Sequence, residues 1–442
     1  MRRSPIAIIG CGTAGPAAAV LLKRAGHDVH LFEAVPALEP VGAGLLLQPT
    51  GMAVLGQLGA LADIAARAAP VEYLRCQTRH GRSILDLSYA ELGAGQRGLG
   101  VHRALLLQHL VAAVRRAEIP IHLGVAIDEL VPASATASAS ADAHRSDSGP
   151  PLILRDRDGA EHGPFALVVV ADGARSRLRA QLGLRARVSR YPWGALWFVG
   201  RDPEGRYRGQ LSQTVDGAAR MIGLLPTGST DHSDGALVSL FHSVKLSAVD
   251  AILSAGLAAW KGELCALAGD AVAPVLDQID DLDQLTLGPY FDVRMRRWHR
   301  GRVVALGDAA HATSPQLGQG ANLALCDAAA LARSLEGHDS LPAALAAYSR
   351  SRKRHLAYYQ WASRWLTPFF QSDSRALGWI RDIGLSAMNQ VPPLRRKMTR
   401  TMAGLERGVV RASLPLPAPA PAPAIGPAPD DAEAPSAAAR AP

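Results

Sequence analysis

Apolar and polar positions change their period several times near the start of the chain. Ile6 to Ile9 are consecutive apolar residues, the pattern of a short strand buried on both faces. Small and apolar residues then recur at helical spacing to about Ala25, and Val29 to Phe32 forms a second buried strand. Strand, helix and strand make a βαβ unit. Val41 to Leu47 is glycine-punctuated and then apolar, which predicts a loop running into a strand or helix. Thr50 to Ala66 has helical spacing, Val71 to Ser88 alternates as a hairpin around His80–Gly81, and Arg103 to Arg116 is an amphipathic helix. Strands are predicted over Ile119 to Leu123, Ala126 to Leu130 and Leu152 to Arg155. Between them Pro132 to Pro151 is poor in apolar residues and rich in Ser, Ala and Asp, a composition expected of a mobile loop tip. Ala166 to Ala171 is another buried strand, ending on Asp172-Gly173.

The texture changes from about Val188 to Leu276. Aromatic and β-branched residues alternate in Tyr191 to Val199, Met221 to Leu225 and Ala236 to Val244, which predicts an antiparallel sheet. Arg302 to Leu306 returns to the buried-strand pattern and leads into Gly307-Asp308. A small-residue helix follows from about Ala321 to Ser334, and further helices reach about Arg411. The expected class is α/β: a Rossmann-like domain in two parts, 1–187 and 291–410, the second carrying the C-terminal helices. An antiparallel β-sheet domain for the substrate is inserted over 188–290. The Pro/Ala-rich stretch 411–442 cannot build a core and is expected to be a disordered, dispensable tail.

The chain has 442 residues, 48% of them hydrophobic and 19% charged, with a formal charge of +8. That balance belongs to a globular protein with a sizeable core. No basic-aromatic motif accompanies the positive charge, so a nucleic-acid partner is not expected, and acidic substrates or phosphate-bearing cofactors fit better. Much of the excess is local: Arg375 to Arg411 holds eight Lys or Arg and two Asp or Glu. A solvated helical face explains this run, with peripheral contact to a membrane or acidic partner as the alternative. The cysteines, Cys11, Cys76, Cys265 and Cys326, form no C-x-x-C pair and no Cys/His cluster with metal spacing. No metal and no disulfide framework are expected, and a reducing cytoplasm fits. No apolar run has the length of a membrane span, so no integral membrane segment is expected.

The first candidate chemistry lies in the βαβ unit. Gly10, Gly12 and Gly15 have G-x-G-x-x-G spacing between the strand and the helix, and the second strand ends on Glu33. Gly10 permits the tight turn, Gly12 lets backbone approach a pyrophosphate, and Gly15 allows close helix–strand packing. Glu33 stands where a carboxylate accepts ribose hydroxyls. Gly93, Gly95 and Gly98 repeat the spacing but follow no strand and open no apolar helix, so they read as a loop. A second candidate is GDAAHATSPQLGQGAN, Gly307 to Asn322, where a buried strand delivers Asp308 and Gly318 to Asn322 start a helix with exposed backbone N–H groups. Asp172 to Ser176 at another strand end, and Arg103 at a helix start, complete the set.

Together these motifs resemble the FAD-dependent aromatic hydroxylases of the p-hydroxybenzoate hydroxylase type, the group A flavoprotein monooxygenases, over roughly residues 5–400. The resemblance implies that FAD is the cofactor. Its ADP half would be held by Gly10, Gly12, Thr13, Ala14 and Gly15, with Glu33 and Ala34 at the adenosine ribose. Arg103 and Asp172 would lie near the cofactor, and Gly307 and Asp308 at the ribityl chain. The Pro315 carbonyl and the backbone of Gly320, Ala321 and Asn322 would adjoin the flavin ring. The resemblance further implies NADH or NADPH as a transient reductant without its own Rossmann domain. It implies O2 as co-substrate, captured as a flavin C4a-hydroperoxide, and an aromatic or polycyclic small molecule as the substrate hydroxylated. A homodimer is compatible with it.

No catalytic base is identified. His242, Tyr191 and Arg220 lie on the predicted sheet and read first as structural. Cys11 reads as an inert buried thiol and His311 as a packing or hydrogen-bonding residue. Trp193, Trp197 and Phe198 serve equally as pocket lining or plain core. The glycine turns Gly42–Gly44 and Gly318–Gly320 either let a ring swing or permit close packing. The same scaffold could carry a flavin-dependent halogenase or reductase, but W-x-W-x-I-P is absent and Lys23 lies on the first helix. A non-catalytic lipid-binding protein would not need the intact Gly307–Asn322 turn.

Overall fold

A computed structural model describes residues 4–38, 42–133, 149–181, 183–230, 235–409 and 413–420. Most of the expected loop tip at 132–151 and the end of the Pro/Ala stretch lie outside the described residues.

The apolar runs assemble as a six-stranded sheet. Its central strand, Pro5–Ile9, pairs in parallel with Asp28–Glu33 on one side and Leu167–Val170 on the other, so that Ile8 lies between Leu31 and Val169. Val303–Ala305 adds in parallel beyond Leu167–Val170, and Ile121–Leu123 beyond Asp28–Glu33. Strands covered on both faces need continuous apolar runs, which is why Pro5–Ile9, Leu167–Val170 and Val303–Ala305 do not alternate. The helix Ala14–Arg24 buries Ala17, Ala18 and Ala19 completely, and these small side chains let it pack closely on the helix Gly320–Glu336. Ile9, Val170 and Ala305 end at the same edge of the sheet. The loops that begin at Gly10, Ala171 and Leu306 therefore emerge together, at the edge where open α/β sheets bind ligands.

The second large sheet has nine strands and is wider than the expected insertion. Thr286–Met295, Ala186–Arg201, Leu237–Lys245, Arg220–Gly228 and Gly209–Asp216 lie side by side, antiparallel throughout. The sheet then continues into strands that precede residue 188: Ala69–Thr78, Gly98–His102 and Gly44–Leu47, with Ser83–Ser88 paired to Ala69–Thr78. The junction, Gly209–Asp216 with Ala69–Thr78, is parallel. A smaller antiparallel sheet joins Ile127–Pro132, Leu152–Asp156 and Glu161–Phe165. The helix expected over 50–66 is two helices, Pro49–Leu58 and Leu61–Arg67, because Gly59 adopts a left-handed φ of 71° and ends the first.

The helices Leu341–Phe370, Arg375–Gln390 and Pro392–Met402 close the chain against both sheets. The expectation of disorder from 411 onward is corrected at 413–420. Leu414 N donates to Leu405 O at 2.6 Å, Gln96 Nε2 to Pro417 O at 2.9 Å and Arg97 Nη2 to Ala420 O at 3.0 Å. An extended proline-rich segment makes no internal hydrogen bonds, so its carbonyls are free to accept from neighbouring side chains. It docks on the loop from Gly93 to Arg97, where a Cβ on Gly95 would lie 3.3 Å from Pro419; Gly98, expected in that loop, instead opens the strand Gly98–His102.

Candidate functional site

The three motif glycines are required for different reasons. Gly10 has φ 106°, and a Cβ there would lie 2.4 Å from Ala171 O. A Cβ on Gly15 would lie 1.9 Å from Gly10 O. A Cβ on Gly12 would meet no protein atom within 4 Å. The fold itself thus demands the first and third glycines, whereas the space before Gly12 is left for a ligand. Thr13 makes no side-chain cap to the helix Ala14–Arg24, so the amides of that helix start remain available to an anion. Glu33 braces the turn: Oε2 accepts from Cys11 N at 2.6 Å and Oε1 from Val35 N at 3.1 Å. A carboxylate has about four acceptor positions, so ribose hydroxyls can still be bound. Burial, with Glu33 adding to it, pushes the Cys11 thiol up to about 12, which leaves it inert. Gly10, Gly12, Glu33, Ala34, Asp172 and Arg175 border a cleft of about 370 Å³.

Asp172 forms the opposite wall. A Cβ on Gly10 would lie 2.9 Å from its Cα. Its Oδ1 is buried with no hydrogen-bond partner, and burial raises its pKa against the lowering effect of Ser176. An orphaned buried acceptor is costly unless a donor arrives from a ligand. Gly307 has φ 56° and is wedged between two helix starts, 3.1 Å from Ala14 Cβ and 3.3 Å from Ala324 Cβ measured from a Cβ on it. It delivers Asp308, which is exposed, beside the other helix start, with Oδ1 3.9 Å from a Cβ on Gly320. The glycine turn and the Asp308 segment, remote in sequence, are therefore neighbours in space.

The remaining expected residues are placed as follows. Arg103 is exposed, opens the helix Arg103–Arg116 and donates its backbone N–H to Ala43 O at 3.2 Å; its stem leaves no room for a Cβ on Gly42. Pro315 begins a short turn, and its carbonyl accepts from Gly318 N at 2.8 Å. Ala321 lies in the first turn of the helix Gly320–Glu336. The Asn322 side chain is fully buried: Oδ1 accepts from Gln48 N at 2.8 Å, and Nδ2 donates to Leu46 O at 3.1 Å. That side chain ties the helix Gly320–Glu336 to the end of the strand Gly44–Leu47, leaving only its backbone for a ligand. Of the glycine turns, Gly44 is close-packed, with Thr227 Cγ2 2.0 Å from a Cβ on it, and Gly318 faces open space at φ 58°.

A buried charged pin behind this site was not expected from the sequence. Asp327 is wholly buried in the helix Gly320–Glu336. Its Oδ2 accepts from Gly307 N at 3.0 Å and bonds His311 Nε2, while Oδ1 accepts from Arg352 Nε at 2.7 Å. Burial opposes its charge, but His311 and Arg352 overcome this and hold the carboxyl down to about 2. The pin fixes the strand end that presents Asp308. The only hint in the sequence is an Asp inside an otherwise apolar helix face.

Arg352 also donates to His355 Nδ1 at 2.6 Å, and His355 Nε2 donates to Gly404 O at 2.9 Å. This pattern makes His355 neutral. Burial and the Arg352 cation hold its pKa at about 3, against an ordinary 6.5. Between those values the unfolded chain takes up a proton that the folded chain refuses. Stability therefore falls as pH drops through that window, by about 1.4 kcal/mol per pH unit. His242, buried at about 4 and accepting from Trp260 Nε1 at 3.1 Å, acts in the same direction. Urea unfolding at pH 7 and pH 5 tests this. A His355→Gln protein should lose about 2 kcal/mol less than the wild type over that interval. An identical pH dependence would contradict the assignment.

An apolar chamber of about 360 Å³ lies between the large sheet and the C-terminal helices. Leu74, Leu87 and Leu211 wall it from the sheet, Gln316 and Leu317 from the turn after Pro315, and Tyr358, Met398 and Met402 from the helices. Gln316 Nε2 is buried with no partner. Trp193, Trp197 and Phe198 do not line it. Phe198 packs in the cluster around Trp260, and Trp197 stands 5.3 Å from Phe241. Tyr191, its phenol raised by burial, sits beside Asp292 and Ser314, and Arg220 pairs with Asp216 at the surface. Tyr358, which does line the chamber, hydrogen-bonds Thr401 Oγ1 at 2.8 Å.

Three comparisons bear on this arrangement. The profile of the family described as "FAD binding domain" matches residues 3–233 and 266–359. The chain is 28% identical over 394 residues to an aurachin C monooxygenase/isomerase of Stigmatella aurantiaca, covering 85% of this chain and 92% of that one. It is 29% identical over 371 residues to a kynurenine 3-monooxygenase of Salinispora arenicola, covering 80% and 77%. Among solved structures, Klebsiella pneumoniae HpxO complexed with FAD and uric acid superposes with a TM-score of 0.73 at 22% identity, over 91% of this chain and 97% of that one.

Proposed function

The chain belongs to the FAD binding domain family and is an FAD-dependent monooxygenase of the aromatic-hydroxylase type, and on that premise we propose that it uses NADH or NADPH and O2 to hydroxylate a planar aromatic molecule held in the apolar chamber. One observation carries this reading. The turn Pro315–Leu317 has Asp308 and the start of the helix Gly320–Glu336 on one side, and supplies Gln316 and Leu317 to the chamber on the other. A cofactor held by the first group and a substrate held in the chamber meet at that turn.

The residues present fit FAD. The open space at Gly12 and the helix start behind it suit the pyrophosphate, and the unpartnered Asp172 Oδ1 calls for a donor from the ligand. Glu33 would take the ribose, Asp308 a ribityl hydroxyl, and the amides of Gly320 to Asn322 the pyrimidine edge of the ring. When bound, FAD supplies two-electron reduction by the nicotinamide and transfer of one oxygen atom from O2. The chain's own contribution is position and an apolar surrounding. Leucine and methionine side chains make the chamber walls apolar, and the free Gln316 N–H donates to an oxygen or nitrogen of the substrate and orients its ring.

The test is NAD(P)H oxidation screened against phenols, kynurenine-like amines and hydroxyquinolines, with mass analysis of products. A product one oxygen atom heavier, formed in step with NAD(P)H consumption, is expected for at least one ring class. Consumption that yields only hydrogen peroxide across all of them would count against the reading.

A further inference from the structure

The C-terminal helices present an apolar face to solvent. On the helix Arg375–Gln390 the exposed residues between its ends are Ala376, Trp379, Ile380, Ile383, Gly384 and Ala387, and none is charged. The helix does contain charges, but they are turned away from this face. Arg381 is buried, donating to Gly217 O at 2.9 Å and Phe369 O at 3.0 Å, and Asp382 pairs with it. A surface helix ordinarily shows the reverse distribution. Trp379 is 67% exposed. On the adjoining helix Leu341–Phe370, Trp361 and Trp365 stack at 6.2 Å and are 47% and 52% exposed. Val391, Leu394 and Val409 are exposed as well. Exposed apolar side chains concentrated on neighbouring helices in this way mark a contact site.

We infer that this face docks on an anionic phospholipid surface. Charge selects that occupant. Arg375 opens the apolar helix and Arg396 lies on the next one, Pro392–Met402; both are exposed and enter no ion pair among the described residues, and Lys353 and Arg354 are exposed further along the long helix. Arg381, Arg395, Lys397 and Arg400 already pair with Asp382, Glu91 and Glu406, so the positive excess left on this side of the molecule is that of Arg375, Arg396, Lys353 and Arg354. A second copy of the chain would set that excess against itself, whereas lipid phosphates neutralise it. Tryptophan and isoleucine flanked by arginine is the composition of a helix that lies in the headgroup region. The contact is peripheral, since no single helix among the described residues is long and apolar enough to cross a membrane.

The face is continuous with the chamber. Trp361, Trp365, Leu394 and Val409 line the chamber and are also part of the exposed surface. A substrate with an apolar tail can pass from the bilayer into the site without crossing water. Only this delivery route rests on the hydroxylase reading; the docking surface does not.

Flotation of the FAD-loaded protein with vesicles tests it, using phosphatidylcholine alone and phosphatidylcholine with phosphatidylglycerol, at low and high salt. Binding is expected to the anionic vesicles and to weaken with salt. A Trp379→Ser/Ile383→Ser protein should partition at least about tenfold less while keeping its flavin and melting temperature. An Arg375→Glu/Arg396→Glu protein should lose the preference for anionic lipid. No binding to anionic vesicles, or equal binding by the Trp379→Ser/Ile383→Ser protein, would overturn the inference. So would sedimentation showing a dimer that this variant converts to monomer. Hydroxylation of a water-soluble substrate, measured without vesicles, keeps a failure of docking distinct from a failure of the hydroxylase reading.

Discussion

A Gly12→Val protein is expected to fold like the wild type and to purify without flavin. The two halves of this expectation rest on different observations. No protein atom beyond the chain neighbours lies within 4 Å of a Cβ at position 12, and Gly12 is not among the glycines with positive φ, so neither a clash at Cβ nor backbone strain opposes the substitution. The same open space is where the pyrophosphate would approach the turn in the proposed site, and a branched side chain would fill it. FAD affinity should drop at least about a hundredfold, which is about 2.7 kcal/mol. Asp308→Ala should act more mildly, because it removes one hydrogen bond to a charged group, worth about 1.5–3 kcal/mol. Gly10→Val is the contrasting control. At φ 106° and 2.4 Å from Ala171 O, it should lower the melting temperature itself. A Gly12→Val protein with wild-type flavin content would remove the pyrophosphate from this turn.

Asp327→Ala is expected to be the most destabilising single change away from the apolar core. It strips the buried Arg352 of its carboxylate and leaves His311 and the Gly307 amide without their acceptor. Removing one partner of a buried ion pair costs about 3–5 kcal/mol, because the remaining charge stays buried and unpaired. Asp327 also holds the strand end that presents Asp308, so cofactor affinity should fall with stability. Urea unfolding of the apoprotein and flavin titration measure the two effects separately. A loss below about 1 kcal/mol in unfolding would show that Arg352 finds another partner and that the pin does not hold the site.

The parts of this structure legible in the sequence are those set by local sterics and continuous burial. Ile6 to Ile9 and Val168 to Val170 have no polar residue to give to solvent, so they had to be central parallel strands. Gly10 and Gly15 occupy points where backbone meets backbone, and no other residue fits. Alternation, by contrast, reveals which face of a strand is buried but not what lies beside it. Nothing in Ala69–Thr78 shows that it pairs in parallel with Gly209–Asp216, so the large sheet runs well outside 188–290. The chamber was not legible for the same reason. Its walls come from Leu74, Gln316, Tyr358 and Met398, which only the tertiary fold brings together, while the conspicuous Trp193 and Trp197 pack elsewhere. Composition misled at the near end of the Pro/Ala stretch, because residues that cannot form a core can still lie along one, as the contacts of Pro417 and Ala420 show.

In the proposed site FAD is held through Gly12, Glu33, Asp172 and Asp308. The most direct measurement is chromatography of the cofactor released by heat from purified protein, or from protein reconstituted with a mixture of FAD and FMN. FAD, one per chain, is expected, and none from Gly12→Val. Recovery of FMN alone, or of no flavin after reconstitution, would contradict it.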